Sequence, residues 1–324
     1  MHNFKKIIQV VVITVVCLLV LFAADFALYP CTFTRNDIHA IYTNTYDDVF
    51  VGTSYGKINI DPDTMEEVNG RTGHNLCVGG EYPVDVLYML ELMIETGHTP
   101  QRVVYEVSPG YFVREKEEGN NYLLFYHEFP MTMAKLRYFR DAIMKCDFRT
   151  AFFPWYEYDL SYEIAHVKDT LSKKLSKDYS KESFATDTQE YHESGFIERY
   201  PVDMSELEDD YVEEWFPEDI VDKNMQDLSA IIKLCRENNI DFVAITTPLS
   251  DEAIEECREG NDALNIYYSD YFNKAGVPYI NFNYGDYYDM TDHDLEGYTD
   301  LEGHMNGNAA REFSKLLAGV LLDI

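Results

Sequence analysis

The chain has 324 residues, a formal net charge of −32, 46% hydrophobic residues and 15% aromatic residues. That length buries a sizeable core as one large domain or two small ones, and the composition is globular, which excludes an intrinsically disordered chain. So acidic a surface repels the phosphate backbone of nucleic acids and excludes them as partners. Its simplest service is solubility. The 26 tyrosines are most simply half-buried packing groups with the hydroxyl at the surface, and glycan binding is the alternative.

Lys5 and Lys6 precede an uncharged run from Ile7 to Ala24, and after Asp25 apolar residues resume to Leu28. Roughly 18 to 22 residues at about 1.5 Å each span a bilayer core. The lysines before the run place the N-terminus inside and the rest outside. A cleaved signal peptide is the rival reading, but the apolar run is long for one and no good small-x-small site follows it. We therefore expect residues 1–30 to be a cytoplasmic tip and membrane anchor, and residues 31–324 to be extracytoplasmic. Removing residues 1–30 takes away two lysines and one aspartate, leaving 24 basic against 57 acidic residues, a net −33. Cys17 lies in the apolar run, and Cys31, Cys77, Cys146, Cys235 and Cys257 are widely and irregularly spaced. They form no CxxC pair and no metal-like cluster, so neither a metal nor a cofactor is expected.

Residues 31–46 read as a juxtamembrane stretch. Short apolar strands are expected at 48–52, 102–107, 241–247 and 278–282, and helices at 84–96, 219–239 and 307–322. Gly97 stops the first of these helices and Pro100 prevents its resumption. Continuous apolar strands alternating with helices predict an α/β fold with a mainly parallel sheet covered on both faces. The acidic, Tyr-rich stretch at about 150–217 breaks that rhythm and reads as an insertion or helical cap over one end of the sheet.

Two loops carry chemistry. Val51-Gly52-Thr53-Ser54-Tyr55-Gly56 follows the first strand directly. Ligands gather beyond the C-terminal ends of parallel strands, and a serine on such a turn presents its oxygen while its N–H helps to form an oxyanion hole. The bland alternative is a serine that caps a helix. The glycine spacing does not fit a P-loop. The literal GxSxG match is discounted because α/β-hydrolases place several strands before that elbow. Near the other end, Asp300-Leu301-Glu302-Gly303-His304-Met305-Asn306 precedes the last helix. A carboxylate there can accept from His304 Nδ1–H and fix the tautomer, leaving Nε2 to take the serine proton. Asp300 is the expected acid and Glu302 its rival. His74, beside Asn75, could touch the site, but reads more simply as a solvated loop group. Asp292-His293-Asp294 has no further ligand spacing to support a cation. His39, His98, His127, His166 and His192 receive no role.

This pairing resembles the SGNH/GDSL hydrolase superfamily. Ser54 matches its first motif, and Asp300 with His304 resembles its closing Asp-x-x-His. The run His304-Met305-Asn306, then Ala309 and Phe313-Ser314, is similar to the ending of bacterial membrane-anchored members, such as the D-alanyl-lipoteichoic-acid transfer and alginate-type O-acetylation proteins. Asn75 to Gly80 resembles the NxxxxG motif, whose glycine offers an oxyanion N–H. The likeness covers roughly residues 46–112 and 220–322. It implies a flavodoxin-like three-layer sandwich, an acyl-Ser54 intermediate, and oxyanion donors from Ser54 and Gly80. Its third donor is an asparagine in a Gly-x-Asn-Asp motif, which this chain replaces with Val107-Ser108-Pro109-Gly110, so that donor is missing or comes from elsewhere, such as Asn75. The Asp–His spacing is also one residue longer than the family's, and Ala309 replaces a customary glycine. The implied function is a serine esterase or O-acyltransferase acting on acyl esters of envelope glycans or teichoic-acid-like polymers. A membrane-bound O-acyltransferase is the implied partner. The alternative is a non-catalytic anchored binding or assembly protein that keeps the fold.

Overall fold

The computed structural model describes residues 2–29, 32–116, 125–145, 160–176, 185–204 and 212–324. They fall into two compact units, Met1–Thr32 with Asp147–Glu182, and Phe33–Cys146 with Ser183–Ile324.

The first unit is built on the apolar helix His2–Leu28. Its stretch Phe4–Leu28 is long and apolar enough to cross a membrane, at 25 residues or about 37 Å. The helix Leu160–Lys174 belongs to this unit. Its last residue, Lys174, donates from Nζ to the Phe26 carbonyl at 2.7 Å and to the Tyr29 carbonyl, among the unsatisfied acceptors at the end of the apolar helix. The expected cap at 150–217 is thus divided: this helix groups with the apolar helix, while residues 185–204 supply a hairpin to the other unit. Parts of the insertion, 150–159, 177–184 and 205–211, lie outside the described residues.

The second unit holds a five-stranded parallel sheet of β1 (Asp48–Val51), β2 (Gly73–Asn75), β3 (Arg102–Glu106), β6 (Asp241–Thr246) and β7 (Tyr279–Asn281). The spatial order is β2-β1-β3-β6-β7. All four neighbouring pairs are parallel, with Phe50 opposite Val104 and Val104 opposite Val243. β4 (Gln189–Tyr191) and β5 (Ile197–Arg199) form a separate antiparallel hairpin. The four expected strands are those of the sheet, and β2 is an addition. Within residues 31–46, Phe33–Thr43 is helical.

Side chains alternate across each strand, so Phe50, Val104, Val243 and Ile245 share a face. They pack with Met65, Phe313, Leu317 and Leu321 into one buried cluster under the helices Pro62–Asn69 and Gly307–Val320. The helices Pro83–Thr96 and Asp222–Glu237 pack on each other in a second layer. At the N-terminal edge of the sheet the Asp48 carboxylate receives Arg102 Nε and Nη2, each at 2.9 Å, and Arg71 Nη2 at 2.9 Å. Arg102 also reaches the Leu321 carbonyl at 2.6 Å. The strand order reverses between β1 and β3, and a parallel sheet opens a crevice at the C-terminal ends of strands at such a switch point.

Candidate active site

Ser54 stands at that crevice. β1 runs into Gly52, whose φ of 138° is closed to other residues. A Cβ there would lie 2.5 Å from the Glu106 carbonyl. Thr53 then caps the helix Ser54–Asn59, its hydroxyl accepting from the Tyr55 N–H. Thr53, not Ser54, therefore performs the capping task, and the Ser54 side chain is left for other contacts. Being first in the helix, the Ser54 N–H has no carbonyl a turn earlier to bond.

His304 Nε2 lies 2.8 Å from Ser54 Oγ, although the two residues are 250 apart in sequence. His304 Nδ1 lies 2.7 Å from Asp300 Oδ2, whereas the nearest Glu302 oxygen is 3.8 Å away on a side chain more than half exposed. Asp300 Oδ1 accepts the backbone N–H groups of Gly303 and His304, at 3.2 and 3.1 Å. These bonds close a turn between Asp300 and His304. Within it Gly303 has φ 116°, and a Cβ there would meet Leu249 Cδ2 at 2.4 Å. Burial by itself raises the Asp300 carboxyl, but hydrogen bonds from the His304 ring and backbone, together with Arg199, outweigh it and hold the group at about 2. It is a carboxylate at any ordinary pH.

Several residues that fix this geometry carry no sequence signal. Asn59, fully buried at the end of the serine helix, donates to the Gly303 carbonyl at 2.9 Å and accepts from the Met305 N–H at 2.8 Å. One side chain thus clamps the histidine loop to the serine helix. Arg199, at the end of β5, reaches Asp300 Oδ2 at 2.5 Å and Thr299 Oγ1 at 3.0 Å. The side chain of Asn306 caps the last helix through the N–H groups of Asn308 and Ala309. The Asn59 and Arg199 contacts join distant segments, and no local pattern encodes them, whereas the Asn306 cap is a local one.

The expected oxyanion residues divide. Gly79 and Gly80 form the loop over the serine. A Cβ on Gly79 would stand 3.6 Å from Ser54 Cβ, and Gly80 has φ 94°. The Gly80 N–H aims at the Tyr111 hydroxyl, which lines the same cavity. Asn75 is a correction. Both its amide hydrogens are taken by the Gly56 and Ile60 carbonyls at 2.8 Å, and its oxygen accepts the Cys77 N–H. It has no N–H to give an oxyanion, and instead braces the back of the serine helix. His74 is another correction, being buried in β2 rather than solvated. Its Nε2 is 3.2 Å from Asp37 Oδ1, and the Asp37 carboxylate also takes Lys57 Nζ and Tyr191 Oη, each at 2.7 Å. In Asp292-His293-Asp294 both imidazole nitrogens are occupied, by the Leu249 carbonyl and by Thr291 Oγ1. Among the described residues no group of His, Cys, Asp and Glu has the geometry to hold a metal ion.

Two buried carboxyls brace the turn from behind. Glu81 accepts the Gly52 N–H at 3.1 Å. Glu106, the last residue of β3, accepts both the N–H and the hydroxyl of Thr53, at 2.9 and 2.8 Å. Burial pushes Glu106 from 4.5 up to about 7, against the pull of the Thr53 bonds. The folded-state pKa is the raised one, so this group's stabilisation is complete below the unfolded value and is lost as pH rises through 7. The window from 4.5 to about 7 corresponds to ~3 kcal/mol. Urea unfolding at pH 5 and pH 7.5 is expected to show a larger stability loss in the native protein than in Glu106→Gln. Parallel losses would refute the assignment.

Beside Ser54 opens a cavity of about 270 Å³ over the ends of β3, β6 and β7. Glu106, Tyr111, Asn265, Asn281 and Tyr268 are among its lining residues, with Arg114, Glu213 and Glu302 adding charge. Arg114 is engaged, its Nη2 lying 2.8 Å from Glu213 and its guanidinium over Trp215.

No family model matches the chain, and no curated protein is significantly similar to it. Among solved structures it is similar to a "putative acylhydrolase" of Bacteroides fragilis NCTC 9343, with TM-score 0.38, 12% identity, and coverage of 85% of this chain and 86% of that one. It is also similar to a "GDSL-like lipase" of Bacteroides thetaiotaomicron VPI-5482, with TM-score 0.37, 11% identity, and coverage of 85% and 87%. At this level of likeness no residue role is carried from either structure onto this chain.

Proposed function

We propose that the chain is a membrane-anchored serine esterase or O-acyltransferase, with Ser54 as nucleophile, His304 as general base and Asp300 as its orienting acid. The observation that carries this reading is the unbroken path from Ser54 Oγ through His304 to Asp300, with steps of 2.8 and 2.7 Å, at the mouth of a cavity. A nucleophile bonded to a base that is itself held by a third group is the arrangement that activates a hydroxyl for acyl transfer. The N–H groups of Ser54 and Gly80 are the oxyanion donors in this reading, with the substrate oxygen displacing the Tyr111 hydroxyl from the Gly80 N–H. Lys5 and Lys6 before the apolar helix favour an inside N-terminus and an extracytoplasmic site. There the substrates are acyl esters of envelope glycans or teichoic-acid-like polymers, and a membrane-bound O-acyltransferase is the partner that supplies the acyl group. Mixing the protein with a fluorophosphonate and mapping the adduct by mass spectrometry tests the reading. We expect the adduct on the peptide that contains Ser54, and an unlabelled Ser54 overturns it.

The lining charges bear on the acyl group. Glu213 and Glu302 are carboxylates, Glu106 joins them as pH rises through about 7, and the one cation among the lining residues, Arg114, is bridged to Glu213. A neutral acyl group is therefore favoured over an anionic one. p-Nitrophenyl acetate should be turned over with a kcat/KM at least about tenfold above that of the hemisuccinate, as one like-charge contact of ~1.4 kcal/mol requires. The reverse preference would contradict this charge argument.

A further inference from the structure

Tyr55, the residue directly after Ser54, lies flat against the imidazole of His304. The ring centroids are 4.9 Å apart and the planes differ by 9°. The far edge of the tyrosine ring is confined by the histidine loop, since a Cβ on Gly303 would stand 3.3 Å from Tyr55 Cε1.

The consequence follows from where charge develops, and it rests on the serine-nucleophile reading. In acylation the Ser54 O–H bond breaks as its proton passes to His304 Nε2. The Oγ–C bond forms, and the carbonyl π pair moves to the oxygen. Collapse restores the carbonyl and breaks the ester C–O bond, and the departing alcohol oxygen takes the proton from Nε2. Deacylation repeats the sequence with water or an acceptor hydroxyl. Between each pair of proton transfers His304 is an imidazolium, and the residue is only 4% exposed. At the ring edge the cation meets Asp300, whose charge is shared with Arg199, and more distantly Glu302. Ser54 Oγ occupies the Nε2 side. The ring face meets Tyr55.

An aromatic face is the negative end of a quadrupole and attracts a cation placed over it, most strongly where water is excluded. Burial, then the carboxylates of Glu302, Glu106 and Asp300, drive the Tyr55 hydroxyl far above its ordinary value, so the ring stays neutral. We propose that Tyr55 is a positioning residue of the ester chemistry, holding the His304 ring in its plane and stabilising the imidazolium formed in each acyl-transfer step through its π face.

A ring-electronics series separates this role from packing. Tyr55→Phe, Tyr55→4-fluorophenylalanine, Tyr55→3,4,5-trifluorophenylalanine and Tyr55→Leu keep comparable bulk while draining or removing the π face. The readouts are the rate of Ser54 phosphonylation by a fluorophosphonate, and kcat and KM for p-nitrophenyl acetate. We expect Tyr55→Phe to stay close to the native rate. Rates should then fall stepwise with fluorination to a loss of roughly 3- to 30-fold in the trifluoro and Leu variants, in kcat rather than KM. Equal rates for Tyr55→Phe and the trifluoro variant overturn the proposal even if Tyr55→Leu is slow, because packing alone then explains the contact. A flat series on a labelled native protein removes only the role of Tyr55. A native protein that takes no label at Ser54 overturns both this proposal and the nucleophile reading.

Discussion

Replacing Asp300 by asparagine is expected to lower kcat for p-nitrophenyl acetate by roughly 10³–10⁴-fold, the scale seen when a triad carboxylate becomes an amide. The two Asp300 oxygens receive four donors: the Gly303 and His304 N–H groups on Oδ1, and His304 Nδ1 and Arg199 on Oδ2. An asparagine offers one accepting oxygen, so its NH₂ must face N–H groups on one side or the other. If the amide oxygen keeps the backbone pair, the NH₂ confronts Nδ1, and the imidazole is driven to the tautomer with its proton on Nε2. That nitrogen can then no longer take the serine proton. If the amide turns over, the loop that sets the position of His304 loses its anchor. Glu302→Gln should stay within a few-fold of native activity, because its carboxylate is 3.8 Å from Nδ1 and largely solvated. A thermal melt alongside the kinetics separates a lost tautomer from a lost fold. A large effect of Glu302→Gln with little effect of Asp300→Asn would exchange the two roles.

The two ends of this site were legible in the sequence for a physical reason. A serine after a short apolar strand and an acid–histidine loop before a closing helix are local patterns, and local patterns survive in one dimension. The sheet was legible because buried parallel strands are continuous apolar runs, as in Asp48–Val51 and Asp241–Thr246. β2 escaped because Gly73-His74-Asn75 is neither apolar nor alternating. Its side chains serve hydrogen bonding, with His74 on Asp37 and Asn75 on the serine helix. The helix Arg258–Ala275 escaped because Gly260, Leu264, Tyr268 and Phe272 form a thin buried stripe among polar residues. Arg199 and Asn59 were invisible for a different reason. Each acts on a loop about 100 or 245 residues away, and a lone arginine or asparagine has no period. Asn75 was misread because its spacing to Gly80 suggested a donor to the site. Only the fold reveals that its donors are spent on the Gly56 and Ile60 carbonyls.

Ser54→Ala is expected to abolish ester turnover, with a loss on the order of 10⁶ in kcat, and to leave no fluorophosphonate adduct. The substitution removes one oxygen from a site whose other parts remain. On the proposed reading the Ser54 and Gly80 N–H groups stay in the backbone as oxyanion donors, so any residual turnover comes from binding and oxyanion stabilisation alone. Folding should be nearly unchanged. The cap of the serine helix is Thr53, whose hydroxyl holds the Tyr55 N–H and bonds Glu106. The clamp between that helix and the histidine loop is Asn59. Ser54 Oγ contributes only its bond to His304, and loss of such a bond beside an open cavity costs ~1 kcal/mol or less. Alanine is also a better helix former than serine. Thr53→Ala is the informative contrast, since it removes a cap and leaves Glu106 short of a donor. It should lower stability by about 1–3 kcal/mol while keeping the nucleophile in place. A Ser54→Ala protein that melts like the native one and turns over nothing supports the nucleophile. One that turns over p-nitrophenyl acetate at the native rate removes Ser54 from the chemistry.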